Sequence, residues 1–141
     1  MNRARRTRIL AHGSDELRAR LSDDVIEHCE VHEVEPPTET LVMLTVRETA
    51  RGHLFHPGEL LVTEARARIG QTIGLGIAAG SCARKAWQLA VIDAACNARL
   101  PRTEAWDVLL VQEEGRLRRD SERDDGRILQ TRVEFETMDL T

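Results

Sequence analysis

The sequence predicts an α+β fold, a mostly antiparallel β-sheet with helices packed on one face and one long buried helix. Three observations lead there. Residues 59–79 hold two extended runs around a Gly70-Gln71 step, the pattern of a hairpin. Directly after them, Ala86 to Ile92 is apolar almost all the way round a segment of helical composition. Both flanks of the chain are charge-rich with helical spacing, and no internal repeat or low-complexity linker divides the 141 residues, so residues 1–141 are expected to form a single domain.

Residues 3–12 and 15–22 read as two short helices parted by Gly13. Ser14 suits an N-cap, and Asp15 and Glu16 fall where the helix dipole favours acids. Val25 to Val34 alternates weakly, with Val25, Cys29 and Val31 on one parity and Glu30 and His32 on the other, which predicts a strand. Pro36-Pro37 cannot donate to a ladder, so a turn is expected before a second strand, Leu41 to Glu48. A third strand, Glu59 to Ile69, places Leu61, Thr63, Ala65, Ala67 and Ile69 on a core face and Val62, Glu64, Arg66 and Arg68 on an ionic face. The turn leads into a fourth strand, Thr72 to Ala79, whose glycines imply close approach of another backbone. Ser81 caps the strongest helix, which runs to Leu100 and should be covered on two sides. A short extended piece, Val108 to Val111, a charged helix from Gln112 to about Leu129 and a closing strand, Arg132 to Met138, complete the chain. Gly115 and Gly126 weaken that last helix.

Composition narrows the function. Aromatic residues make up only 3%, so the core is built from side chains of small area, which favours a fold that leans on a partner. A net charge of −4 argues against general nucleic-acid or anionic-membrane binding. No apolar run approaches the roughly 20 residues of a membrane helix. Cys29, Cys82 and Cys96 are odd in number and lack paired zinc-type spacing, and no signal peptide precedes them; reduced thiols and a cytoplasmic location are expected. Arg3, Arg5, Arg6 and Arg8 are followed at once by Asp15 and Glu16, which favours a helix over a transit peptide. Lys85 is the sole lysine, consistent with bidentate anion recognition or with the coding bias of a GC-rich genome.

The candidate sites each have a plain structural alternative. Gly74, Gly76 and Gly80 before a helix superficially resemble a dinucleotide fingerprint, but the spacing is GxGxxxG and two of the glycines fall inside a strand. A simpler anion site at Ser81 with Arg84 and Lys85 remains open. His28, Cys29, His32, His53 and His56 do not make a persuasive metal set, because His28 and Cys29 would point to opposite faces of a strand, so no metal is expected. Glu64, Arg66 and Arg68 on one strand face fit a solvated ion-pair stripe, a charged interface or a phosphate cradle. Asp93, in an apolar helix, calls for a partner, with a sheet arginine favoured over a catalytic role. No nucleophile elbow, carboxylate pair or Walker loop is present, and no catalytic residue is assigned.

The stretch FHPGELLVTEARARIGQTIGLGIAAGSCARKAWQLAVIDAA resembles the G subunit of the bacterial carbon-phosphorus lyase core complex. The resemblance rests on Phe55, Gly58-Glu59, Thr63-Glu64-Ala65, Arg68, Gly74 and Asp93-Ala94, with RILAHGSDELRARL near the start and TRVEFETM near the end. It implies phosphonate catabolism as a non-autonomous subunit beside the H, I and J subunits, with the I subunit the most direct partner. With the L protein, the G, H and I subunits displace adenine from ATP with a phosphonate, giving a ribose 1-phosphonate 5-triphosphate that the iron-sulfur J subunit later cleaves after loss of pyrophosphate. ATP and phosphonate belong to the assembled complex, and no cofactor is expected on this chain. Phe55, Gly58, Glu59, Glu64, Arg66, Arg68, Lys85 and Asp93 are the candidate partner- or phosphate-binding residues; a second reading has Arg66, Arg68 and Lys85 hold a nucleotide. Many members of that family carry a Gly-Arg-Asp-like turn entering the long helix, where this chain has Gly80-Ser81-Cys82.

Overall fold

The computed structural model describes residues 1–130. Helix α1 (Arg3–His12) is capped by Asn2, whose side chain accepts from the Arg5 N–H at 2.8 Å, and it ends at Gly13. Ser14 caps α2 (Asp15–His28) as predicted, accepting from the Leu17 N–H at 3.3 Å. The helix continues to His28 rather than stopping at residue 22, so the strand expected from Val25 begins only at Val31. Leu17, Leu21 and Val25 recur every four residues and pack into the core, and that helical repeat overrides the weak alternation after it.

Strand β1 (Val31–Met43) runs straight through Pro36-Pro37, where a turn was expected. Register shifts between Glu33 and Glu35 and between Glu35 and Thr38 absorb the prolines, which an edge strand tolerates because no neighbour needs their N–H. The predicted strand Leu41 to Glu48 therefore divides between the end of β1 and β2 (Val46–Arg47), which pairs with β3 (Leu54–Phe55) in a separate small hairpin.

Strands β4 (Glu59–Ile69) and β5 (Thr72–Ala79) form the predicted hairpin around Gly70, whose φ of +56° favours glycine. The main sheet is antiparallel with order β1-β4-β5. Thr63, Ala65, Ala67 and Ile69 are buried, as the alternation predicts, whereas Leu61 is exposed.

Helix α3 (Ala83–Asn97) lies across β4 and β5. Gly74 and Gly76 allow the contact: a Cβ on Gly74 would fall 2.6 Å from Ala94 Cα, and one on Gly76 2.5 Å from the Ala90 nitrogen. The close approach expected at these glycines is thus made by α3 itself. Helix α2 and part of α1 cover its other side, so the all-round apolar middle is buried from two directions. The N-cap is Cys82, without a side-chain cap, in place of the predicted Ser81; the Ser81 hydroxyl bonds the Glu39 carboxylate instead. The Cys82 N–H donates to Thr63 Oγ1 at 2.9 Å, and Thr63 donates to the Gly80 carbonyl at 2.7 Å, pinning the helix start to β4.

After a 3-10 turn (Pro101–Ala105), α4 spans Trp106–Gln130. The extended piece expected at Val108 to Val111 is its opening, because Trp106 and Leu110 lie four apart and are both buried. The predicted strand Arg132 to Met138 lies outside the described residues. Among those described, no helix is long and apolar enough to cross a membrane.

Candidate partner interface

The sheet is longer than the helical layer that covers it. Helix α3 starts beside Thr63, while β1 and β4 run on to the Met43–Glu59 pair and into the β2–β3 hairpin. This projecting arm carries large apolar side chains on both faces. Leu41 and its neighbour across the ladder, Leu61, lie on one face with Met43, 58%, 40% and 61% exposed respectively; Leu60 lies on the other. Leu44, Val46, Leu54 and Phe55 continue the exposed surface to the tip. Exposed apolar surface of this extent is a candidate contact surface.

The arm has internal hydrogen bonds that hold its shape. The Leu44 N–H donates to the Gly58 carbonyl at 2.9 Å, Arg47 donates to the Gly52 carbonyl at 2.6 Å, and His56 Nδ1 sits 3.1 Å from the Leu44 carbonyl oxygen. Its apolar side chains are therefore presented on paired backbone. The sequence carried a signal for this: Leu41 to Leu44 is apolar on both parities, as is Leu60 to Val62, and a strand covered on one face alone would alternate.

Of the candidate residues, Phe55, Gly58 and Glu59 lie on this arm. Glu64, Arg66 and Arg68 lie on the opposite sheet face from α3. Arg66 bridges Glu64 at 3.0 Å and Glu35 at 3.3 Å, and Arg68 donates to the Gly70 carbonyl at 2.9 Å, which makes the row an ion-pair stripe. Lys85 is on the first turn of α3, in a shallow cleft with Asp15, Ser81, Arg84 and Gln88. The sheet separates Lys85 from Arg66 and Arg68, so these three cations do not converge on one small ligand.

Asp93 is a buried anchor, and its arginines come from α1 rather than from the sheet as predicted. Its carboxylate accepts from Arg3 Nε at 3.1 Å and Nη2 at 2.7 Å, from Arg6 Nη2 at 2.9 Å, from Asn97 Nδ2 at 3.2 Å and from the Leu75 N–H at 3.1 Å. One side chain thereby joins α1, α3 and the free edge of β5.

Helix α4 is held to α1 by charge. Arg5 and Arg8 both engage Glu114, and Arg5 in particular holds its carboxyl below the usual range. The cleft between these helices, about 860 Å³, is lined by these residues, His12 and Arg118. Arg116, aided by the Ser14 N–H at 2.6 Å, pulls Glu113 down to about 2. Burial lowers the pKa of Arg18, which caps α1 by donating to the carbonyls of Leu10 at 2.8 Å and Gly13 at 2.5 Å. Among the described residues, no group of three or more His, Cys, Asp and Glu side chains is placed to hold a metal ion.

No curated protein sequence matches the chain at a significant level. The family described as phosphonate metabolism protein PhnG matches residues 1–139, nearly the entire sequence. The chain therefore belongs to the PhnG family, and its role lies in phosphonate metabolism.

Proposed function

We propose that this chain is a non-autonomous subunit of the bacterial carbon-phosphorus lyase core complex, docking through its two-faced arm on the I subunit. In that setting it supports the I-subunit-dependent displacement of adenine from ATP by a phosphonate, with the H and J subunits in the same core and the L protein acting with them. Its part is to build and hold the assembly. The observation that carries this reading is the exposure of Leu41, Met43, Leu54 and Phe55 on an ordered arm that extends past its own helical layer. Burying such side chains is worth about 1.5–3 kcal/mol each, enough for a few of them to drive association.

Direct nucleotide binding through Arg66, Arg68 and Lys85 is the weaker reading, because these residues occupy opposite sides of the sheet and Arg66 is already paired with two carboxylates. The test is co-expression with the I subunit, followed by size exclusion with light scattering. One peak of defined mass is expected, from which a Leu54→Asp/Phe55→Asp variant drops out while keeping its own fold. A monodisperse free chain that turns over ATP with a phosphonate by itself overturns the proposal.

A further inference from the structure

Among the described residues the main sheet has two edges that no further strand covers, and the fold treats them differently. On β5 the alternation of the ladder turns the N–H and C=O groups of Ile73 and Leu75 away from β4. Side chains of α3 occupy two of them: Asn97 donates to the Ile73 carbonyl at 3.1 Å, and Asp93 accepts from the Leu75 N–H at 3.1 Å. An edge occupied in this way is a poorer template for another strand.

On β1 the prolines at 36 and 37 interrupt the row of donors, but only there. Beyond them, the bond from the Leu44 N–H to the Gly58 carbonyl fixes the phase of the ladder. Even-numbered residues Thr40 and Val42 face β4, while Glu39, Leu41 and Met43 turn their N–H and C=O groups outward. No described strand pairs with that side of β1. The side chains around it are the exposed Leu41, Met43, Leu60 and Leu61. An open row of peptide groups flanked by apolar side chains on both faces is complementary to one thing, an extended segment with its own apolar side chains.

We propose that the outer edge of β1 from Glu39 to Met43 receives a β-strand from a partner subunit, extending the sheet by one strand. This rests on the reading of the arm as a docking surface and specifies its bonding. A second copy of this chain is a poor occupant, because two-fold pairing would stop at each copy's prolines. On β1 the ladder would span only residues 38–43, a pairing of about six residues a side. A strand of a different chain can continue past Met43 over Leu44, Val46, Leu54 and Phe55.

Two measurements test this on the full chain, free and in complex with the co-expressed I subunit. The first is residue-resolved amide exchange. The N–H groups of Glu39, Leu41 and Met43 should exchange fast in the free chain and at least about tenfold more slowly in the complex, while Thr40 and Val42 are protected in both. Uniform protection, no protection, or protection in the free chain that grows with its concentration, the mark of a second copy, each overturns the proposal.

The second is Leu41→Pro beside Leu41→Ala. Among the described residues the Leu41 N–H bonds nothing, so proline leaves the β4 ladder intact but removes a donor from the edge. Leu41→Pro should weaken the complex about 100-fold and Leu41→Ala less than about tenfold. If Leu41→Pro binds like Leu41→Ala while Phe55→Asp abolishes binding, strand addition is wrong and arm docking stands. If neither Leu41→Pro nor Phe55→Asp weakens binding, both fail.

Discussion

Replacing Asp93 by alanine tests whether one carboxylate ties the N-terminal helix to the sheet. The change removes five hydrogen-bond contacts at once, two of them from Arg3, whose side chain is 59% exposed and therefore screened by water. The costly losses are at Arg6, only 13% exposed, and at the Leu75 N–H, both left without their acceptor. Breaking a buried pair costs about 3–5 kcal/mol, and discounting Arg3 leaves about 3 kcal/mol. Against a total stability of about 5–15 kcal/mol for a domain, the variant should fold but melt about 10 °C lower. Asp93→Asn keeps one acceptor oxygen and should lose roughly half as much. Urea denaturation followed by circular dichroism gives the values, and a cycle with Arg6→Ala should show about 1.5 kcal/mol of coupling. A loss below about 1 kcal/mol for Asp93→Ala, or strict additivity with Arg6→Ala, would refute the anchor.

Gly76→Ala should destabilise by about 3 kcal/mol or more, or push α3 off the sheet, because the new Cβ meets helix backbone that cannot give; a thermal melt together with the far-ultraviolet spectrum reads this. Arg66→Ala should cost less than about 1 kcal/mol in the same melt, since its ion pairs with Glu35 and Glu64 lie at the surface. Glu113 titrates at about 2 in the folded chain, below its ordinary 4.5, so the unfolded chain takes up its proton more readily. Its contribution to stability is therefore complete above about pH 4.5 and lost as pH falls toward 2. Denaturation curves of Glu113→Gln should lack that acid-side fall, and a variant with the unaltered slope would remove Glu113 from the account.

The β4–β5 hairpin was legible because strict alternation and a positive-φ glycine are local signals. So was the two-sided burial of α3, which needs only a count of apolar neighbours. Residues 25–28 and 108–111 were misread for one reason: short apolar runs fit helix and strand alike, and the decision came from packing of Val25, Trp106 and Leu110 against distant elements. Pro36-Pro37 signalled a turn that edge placement made unnecessary. The partners of Asp93 were out of reach, since Arg3 and Arg6 are 90 and 87 residues away in sequence and only the folded chain brings them together. The stripe at Arg66 was visible from parity alone; its separation from Lys85 by the thickness of the sheet was not.

On the proposed docking, the exposed arm gives association a distinctive temperature dependence. Water against Leu41, Met43, Leu54 and Phe55 is released only when a partner arrives, so binding through this surface should show a large negative heat-capacity change. The apolar driving force weakens on cooling, and an assembly held mainly by such contacts loosens in the cold while each chain stays folded. A preparation intact at 25 °C would then shed this subunit on ice, the reverse of the usual expectation for a purified complex.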